Sequence, residues 1–98
     1  MSNPMNILQN KDARHGEMIE QYRQLALGPG ALDTKTKLLI ALALDALAKA
    51  EDGVAALSKM AKSEGATEDE MLEAIRVAGY IGAATTVFPA MCGVAKCE

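Results

Sequence analysis

Aromatic residues are nearly missing from this chain, which has two Tyr, one Phe and no Trp in 98 residues. A core without them must be filled by Ala, Leu, Ile, Val and the six Met. Such side chains let helices approach closely, but each covers little area. A small monomer built this way leaves apolar surface wet, so an obligate homo-oligomer is expected. Histidine occurs once, at His15, and cysteine twice, at Cys92 and Cys97. A lone His without partners at ligand spacing predicts no metal site, and no cofactor is expected. Two thiols make no disulfide scaffold, so the expected compartment is a reducing cytoplasm.

Positive charge is also scarce, with 10 Lys and Arg against 13 Asp and Glu. No basic cluster is present to displace counterions from a phosphate backbone, so no nucleic-acid partner is expected. The opening residues MSNPMNILQNKDARHG contain no apolar h-region, and export is not expected. The apolar run 38–44 (LLIALAL) falls far short of the roughly 18–20 residues that cross a bilayer, so no membrane partner is expected either. Val, Ile and Thr nowhere alternate over a strand's length, and the fold class read from the sequence is all-α. The length suits a single domain, 1–98.

What is present is a series of helix signals. Residues 1–11 read as a polar, flexible arm. Asp12 caps a first helix, whose apolar residues Met18, Ile19, Tyr22, Leu25 and Ala26 recur at helical spacing until Gly28-Pro29-Gly30. Asp33 caps a second helix running to about Lys49, apolar on nearly every side except for Lys37, Asp45 and Lys49. A third helix starts near Glu51 or Asp52 and stops at Gly65. Thr67 and Glu70 form a capping box for a fourth. Gly79-Tyr80-Ile81-Gly82 then predicts a break before a fifth helix containing Pro89.

The order LDTKTKLLIALALDAL, AKAEDGVAAL, SKMAKSEGAT over residues 32–67 resembles the carboxymuconolactone decarboxylase superfamily, which includes the alkylhydroperoxidase D (AhpD) proteins. The resemblance covers roughly residues 30–90. It implies an AhpD-like subunit of about five helices, assembled as a homotrimer or homohexamer. In the peroxidase branch it also implies a Cys-x-x-Cys pair, a Glu about three turns upstream, and a His four residues after the second Cys. A thiolate attacks the peroxide, a neighbouring base moves its proton, and the second thiol resolves the oxidised sulfur as a disulfide. Without a gap, those positions fall here on Ala50 and Gly53 for the cysteines, Leu57 for the His and Leu38 for the Glu. None of these four side chains can attack a peroxide or carry a proton. The decarboxylase branch resembles this chain in having charged residues near Glu51 and Asp52 and a Tyr near Tyr80, but it too has a His at the position of Leu57.

Two readings follow. In one, the protein is a catalytically degenerate binding or scaffold protein, with an apolar small molecule held between Val54, Leu57, Met71 and Tyr80. In the other, it is an antioxidant peroxidase-type oxidoreductase or a decarboxylase working through Cys92, or through Glu51, Asp52 and Tyr80 as acid–base groups. Each candidate also has a structural explanation. Cys92 reads as a small buried hydrophobe, Cys97 as a tail thiol and His15 as a surface residue. Glu51 and Asp52 read as helix-start acids, Tyr80 as a half-buried core residue, and Met18, Met60, Met71 and Met91 as core filling. Asp45 pairs either with Lys49 four residues on or with a basic residue of a neighbouring subunit.

Overall fold

The computed structural model describes residues 3–97, and all five elements there are α-helices. Packing divides the chain into two compact units, residues 1–34 and 35–98. The first contains α1 (Pro4–Lys11) and α2 (Ala13–Leu27). The expectation of an unstructured arm over 1–11 is corrected by α1. Asn3 accepts a hydrogen bond from the Met5 N–H at 2.8 Å, and Pro4 supplies a preset φ in the first turn. Asp12 then serves both helices. Its N–H donates to the Leu8 carbonyl at 2.7 Å, and its carboxylate accepts from the His15 N–H at 3.2 Å. A Cβ on buried Gly16 would lie 2.9 Å from the Gln9 Cα, so α1 and α2 pack at a point that admits no side chain. The glycine and proline after Leu27 end α2 as expected.

The second unit holds α3 (Thr34–Leu47), α4 (Glu51–Ser63) and α5 (Glu68–Lys96), with Thr34 at its border. Leu38 and Leu42, one turn apart on α3, are the largest fully buried side chains, and Ala61, Ala66 and Ala78 complete the buried set. Both α3 and α4 close with the same backbone device. At α4, the Ala66 N–H bonds to the Ala61 carbonyl at 2.9 Å and the Gly65 N–H to that of Lys62 at 3.0 Å, with Gly65 at φ +93°. At α3, the Ala50 N–H bonds to the Asp45 carbonyl at 2.9 Å and the Lys49 N–H to that of Ala46 at 3.1 Å. Here the left-handed position is occupied by Lys49, at φ 61°. The helix therefore ends two residues before the expected Lys49.

α5 is one helix of 29 residues, which corrects the expected break at 79–82. Two glycines weaken a helix without ending it, and Gly82 serves a close approach, since a Cβ there would meet Leu47 Cδ1 at 3.2 Å. The helix also continues through Pro89. Residues 77–95 carry no charge. By length and composition α5 is therefore apolar enough to cross a membrane, and the reading that no run is long enough is corrected. The glycines and Pro89 had disguised one run as two.

Three of the four methionines expected to fill the core do not: Met18 is 61% and Met91 57% exposed, Met60 is exposed as well, and Met71 is half-buried.

The N-termini of α3 and α5 are joined by an ion pair from Lys35 Nζ to Glu70 Oε2 at 2.8 Å, while Glu70 Oε1 accepts the Thr67 N–H at 2.8 Å. The bond from Lys35, followed by that from Thr67, holds the Glu70 carboxyl below its ordinary value. Because the folded-state value is depressed, this stabilisation is full above the unfolded carboxyl range, near pH 4.5. It disappears as pH falls through the folded value. The Tm difference between the wild type and Glu70→Gln should accordingly be largest at neutral pH and shrink below about pH 4.5. Lys49→Gly should raise stability by about 1 kcal/mol in denaturant titrations, because it removes the Cβ cost of the left-handed backbone.

Candidate functional site

Ala50, Gly53 and Leu57 fall at i, i+3 and i+7 along the start of α4, so they share one face, which continues to the fully buried Ala61. On α3, Leu38, Leu42 and Asp45 share a face by the same rule. The two faces meet where the chain reverses. A Cβ built on Gly53 would stand 3.6 Å from the Ala50 Cβ, within the roughly 3.5–4.5 Å at which two cysteines bridge. Backbone geometry at this corner thus suits a vicinal thiol pair, while the residues present supply a methyl group and a hydrogen.

The space above Gly53 is not empty. The carboxylate of Asp45 occupies it, with Cγ 3.0 Å from that Cβ position and Oδ2 nearer still. The expected pair with Lys49 does not explain this. Lys49 has left the helical path, and among the described residues no ion pair joins it to Asp45. The carboxylate instead lies beside the first turn of α4, whose N-cap Ala50 has no side chain to accept its N–H groups. A helix N-terminus favours negative charge at this place. Asp45 is therefore the titratable group at the corner, and sequence reasoning did not assign it there. The available signal was an acid in phase with Leu38 and Leu42.

An open groove of about 350 Å³ runs along the corner, lined by Ala46, Lys49, Ala50, Glu51 and Val54. A second groove of about 220 Å³ lies between the end of α3 and the middle of α5, lined by Leu47, Ile75, Ala78, Gly79 and Gly82, with Ala46 and Lys49 common to both. Val54 thus lines a groove as expected. Leu57 and Met71 are half-buried and line neither of these two, and Tyr80 is 63% exposed rather than half-buried.

The candidate catalytic groups do not converge. Glu51 and Asp52 are exposed in the first turn of α4, and only Glu51 borders the corner groove. Tyr80 and Cys92 are twelve residues apart on α5, about 18 Å along a helix axis. Cys92 is exposed rather than buried, and both Cys92 and the helix-capping Cys97 are free thiols. His15 is exposed, with Nδ1 3.9 Å from the Asp12 carboxylate. Among the described residues, no three His, Cys, Asp or Glu side chains gather as a metal site requires.

No curated protein and no solved structure matches the chain at a significant level. The model of the carboxymuconolactone decarboxylase family matches residues 13–96, from the first residue of α2 to the last of α5. The corner formed by Asp45, Ala50 and Gly53 lies within that match, and the chain belongs to the carboxymuconolactone decarboxylase family.

Proposed function

We propose that this protein is a catalytically silent member of its family, a homo-oligomeric binding or scaffold protein that takes an apolar small molecule at the corner between α3 and α4. The observation that carries this reading is the 3.6 Å Cβ separation at positions 50 and 53, a bridging distance spanned by alanine and glycine. The peroxidase chemistry of the superfamily needs a nucleophile, a resolving thiol and a base. Here Ala50, Gly53 and Leu57 stand at those positions. The upstream acid position is the buried Leu38, at 1% exposure. The groove beside Val54 offers mostly methyl and methylene surface, with Lys49 and Glu51 at hand to orient a ligand.

The exposure of Cys92 favours one other reading, an antioxidant oxidoreductase with a relocated thiol. Against it, α5 carries no His to take the proton of that sulfur, and the one basic side chain near it in sequence is Lys96, four residues on. Assay of the full chain with an organic hydroperoxide and a thiol reductant separates the two. No turnover above the protein-free background is expected, and Leu57→His alone should not create any, because the nucleophile is still missing. Turnover that disappears in Cys92→Ser would establish the enzyme instead.

The corner geometry has its own test. Ala50→Cys with Gly53→Cys should oxidise poorly, because the new Cβ collides with the Asp45 carboxylate. Adding Asp45→Ala should let the pair close readily, as counted by free-thiol titration after mild oxidation.

A further inference from the structure

Val77, Tyr80, Ala84, Val87, Met91 and Val94 follow one another along α5 at alternating separations of three and four. This is the seven-residue repeat that keeps one stripe of a helix turned toward a partner helix, here over about 26 Å of axis. The stripe is bare. Ala84 is half-buried, and the other five are exposed, Val77 at 62%, Tyr80 at 63% and Met91 at 57%.

The roughly opposite side of α5 is already in use. Met71, Ile75, Ala78 and Gly82 recur there, with Ala78 buried and Gly82 against Leu47. Up to Gly82 that side of the helix faces its own subunit, whereas the stripe is uncovered along its length and residues 85–97 are exposed all round. Ala83 and Ala90 border the stripe on one flank and leave room for close backbone approach, and Ile81 and Phe88 widen it on the other. Pro89 stands on the far side, so the proline does not interrupt the seam. Toward the N-terminus the same positions hold Glu70 and Glu73, and the apolar seam starts only after them.

We infer that a second copy of this chain covers α5, stripe packed against stripe. The inference rests on the homo-oligomeric part of the function proposed above and names the surface that builds it. The exposed parts of the stripe, with Ile81 and Phe88, amount to on the order of 800 Å² per copy, the share each partner gives to a stable interface. A bilayer is the poorer occupant. Lipid would surround the helix, whereas here Ala78 is buried and Gly82 lies against Leu47 of α3. Thr85, Thr86 and Pro89, with the carbonyl the proline leaves unbonded, lie off the stripe.

The test measures the mass of the full chain in solution by light scattering, for the wild type and for Val87→Glu/Met91→Glu, with helicity followed by circular dichroism. The wild type should be an oligomer, and the variant should fall to half that mass or less. In case the variant unfolds when it dissociates, Tyr80→Cys/Met91→Cys in a Cys92→Ser/Cys97→Ser background provides a second readout. Position 80 meets 80 and 91 meets 91 if the helices are parallel, and 80 meets 91 if they are antiparallel. Oxidation should therefore yield covalent dimers in either case, and Pro89→Cys in the same background should not. A wild-type oligomer whose mass ignores the seam changes and whose cysteines do not cross-link would overturn the seam and leave the oligomer standing. A wild type that stays monomeric at micromolar concentrations would remove both. A wild type that sediments with phosphatidylcholine vesicles instead of self-associating would make lipid the occupant.

Discussion

The second unit depends on a short reversal between α3 and α4, closed by two backbone bonds from Lys49 and Ala50. That closure requires a left-handed residue, and a lysine fills the role at φ 61° although its Cβ makes the conformation costly. The reversal brings the end of α3 so close to the start of α4 that the Asp45 carboxylate fills the space a side chain at 53 would take. A larger residue at 53 would have to displace that carboxylate. The first turn of α4, which has no capping side chain, gains an anion from the preceding helix.

How much of this was legible in the sequence depended on the range of the interaction. Caps are local, and Asp12, the Thr67–Glu70 box and Gly65 all act as their residue types dictate. Asn3-Pro4 carries the same kind of signal, but the helix it starts is only eight residues long, with Met5, Ile7 and Leu8 set among polar residues. Glycine misled for the opposite reason. Gly79 and Gly82 looked like punctuation, yet Gly82 is where α5 meets Leu47, a contact 35 residues away along the chain. Helical phase alone places 50, 53 and 57 on one face. The place of Asp45 is not legible in that way, because its neighbour is set by the reversal and not by an i,i+4 pair.

The scarcity of aromatics has the consequence that packing area must come from elsewhere. Among the described residues only five hydrophobic ones are buried, three of them alanines, while Met18, Tyr22, Leu25, Val77, Tyr80 and Phe88 stay more than half exposed. Isolated exposed apolar residues are ordinary, but an ordered row of them is not. Half the sequence is hydrophobic, and much of it lies on surfaces the single chain leaves uncovered. The composition therefore leaves apolar area on the single chain that a further surface could cover.

Family membership and the residues found at the corner fit together once the scaffold and the chemistry are treated as separable. Backbone spacing at 50 and 53 is set by the capping turn and the first turn of α4, which any sequence able to adopt that turn reproduces. Catalysis needs more, namely a sulfur whose proton has somewhere to go. Losing any one group of such a set removes most of its rate, because the groups act as a unit. Once the nucleophile is gone, a nearby His or Glu no longer assists a reaction, and burying hydrocarbon at those positions adds packing that a polar group would oppose. Leu38 is buried on the face of α3 that also presents Asp45, and Leu57 is half-buried on α4. The corner thus combines hydrocarbon packing with an acid held in place by geometry.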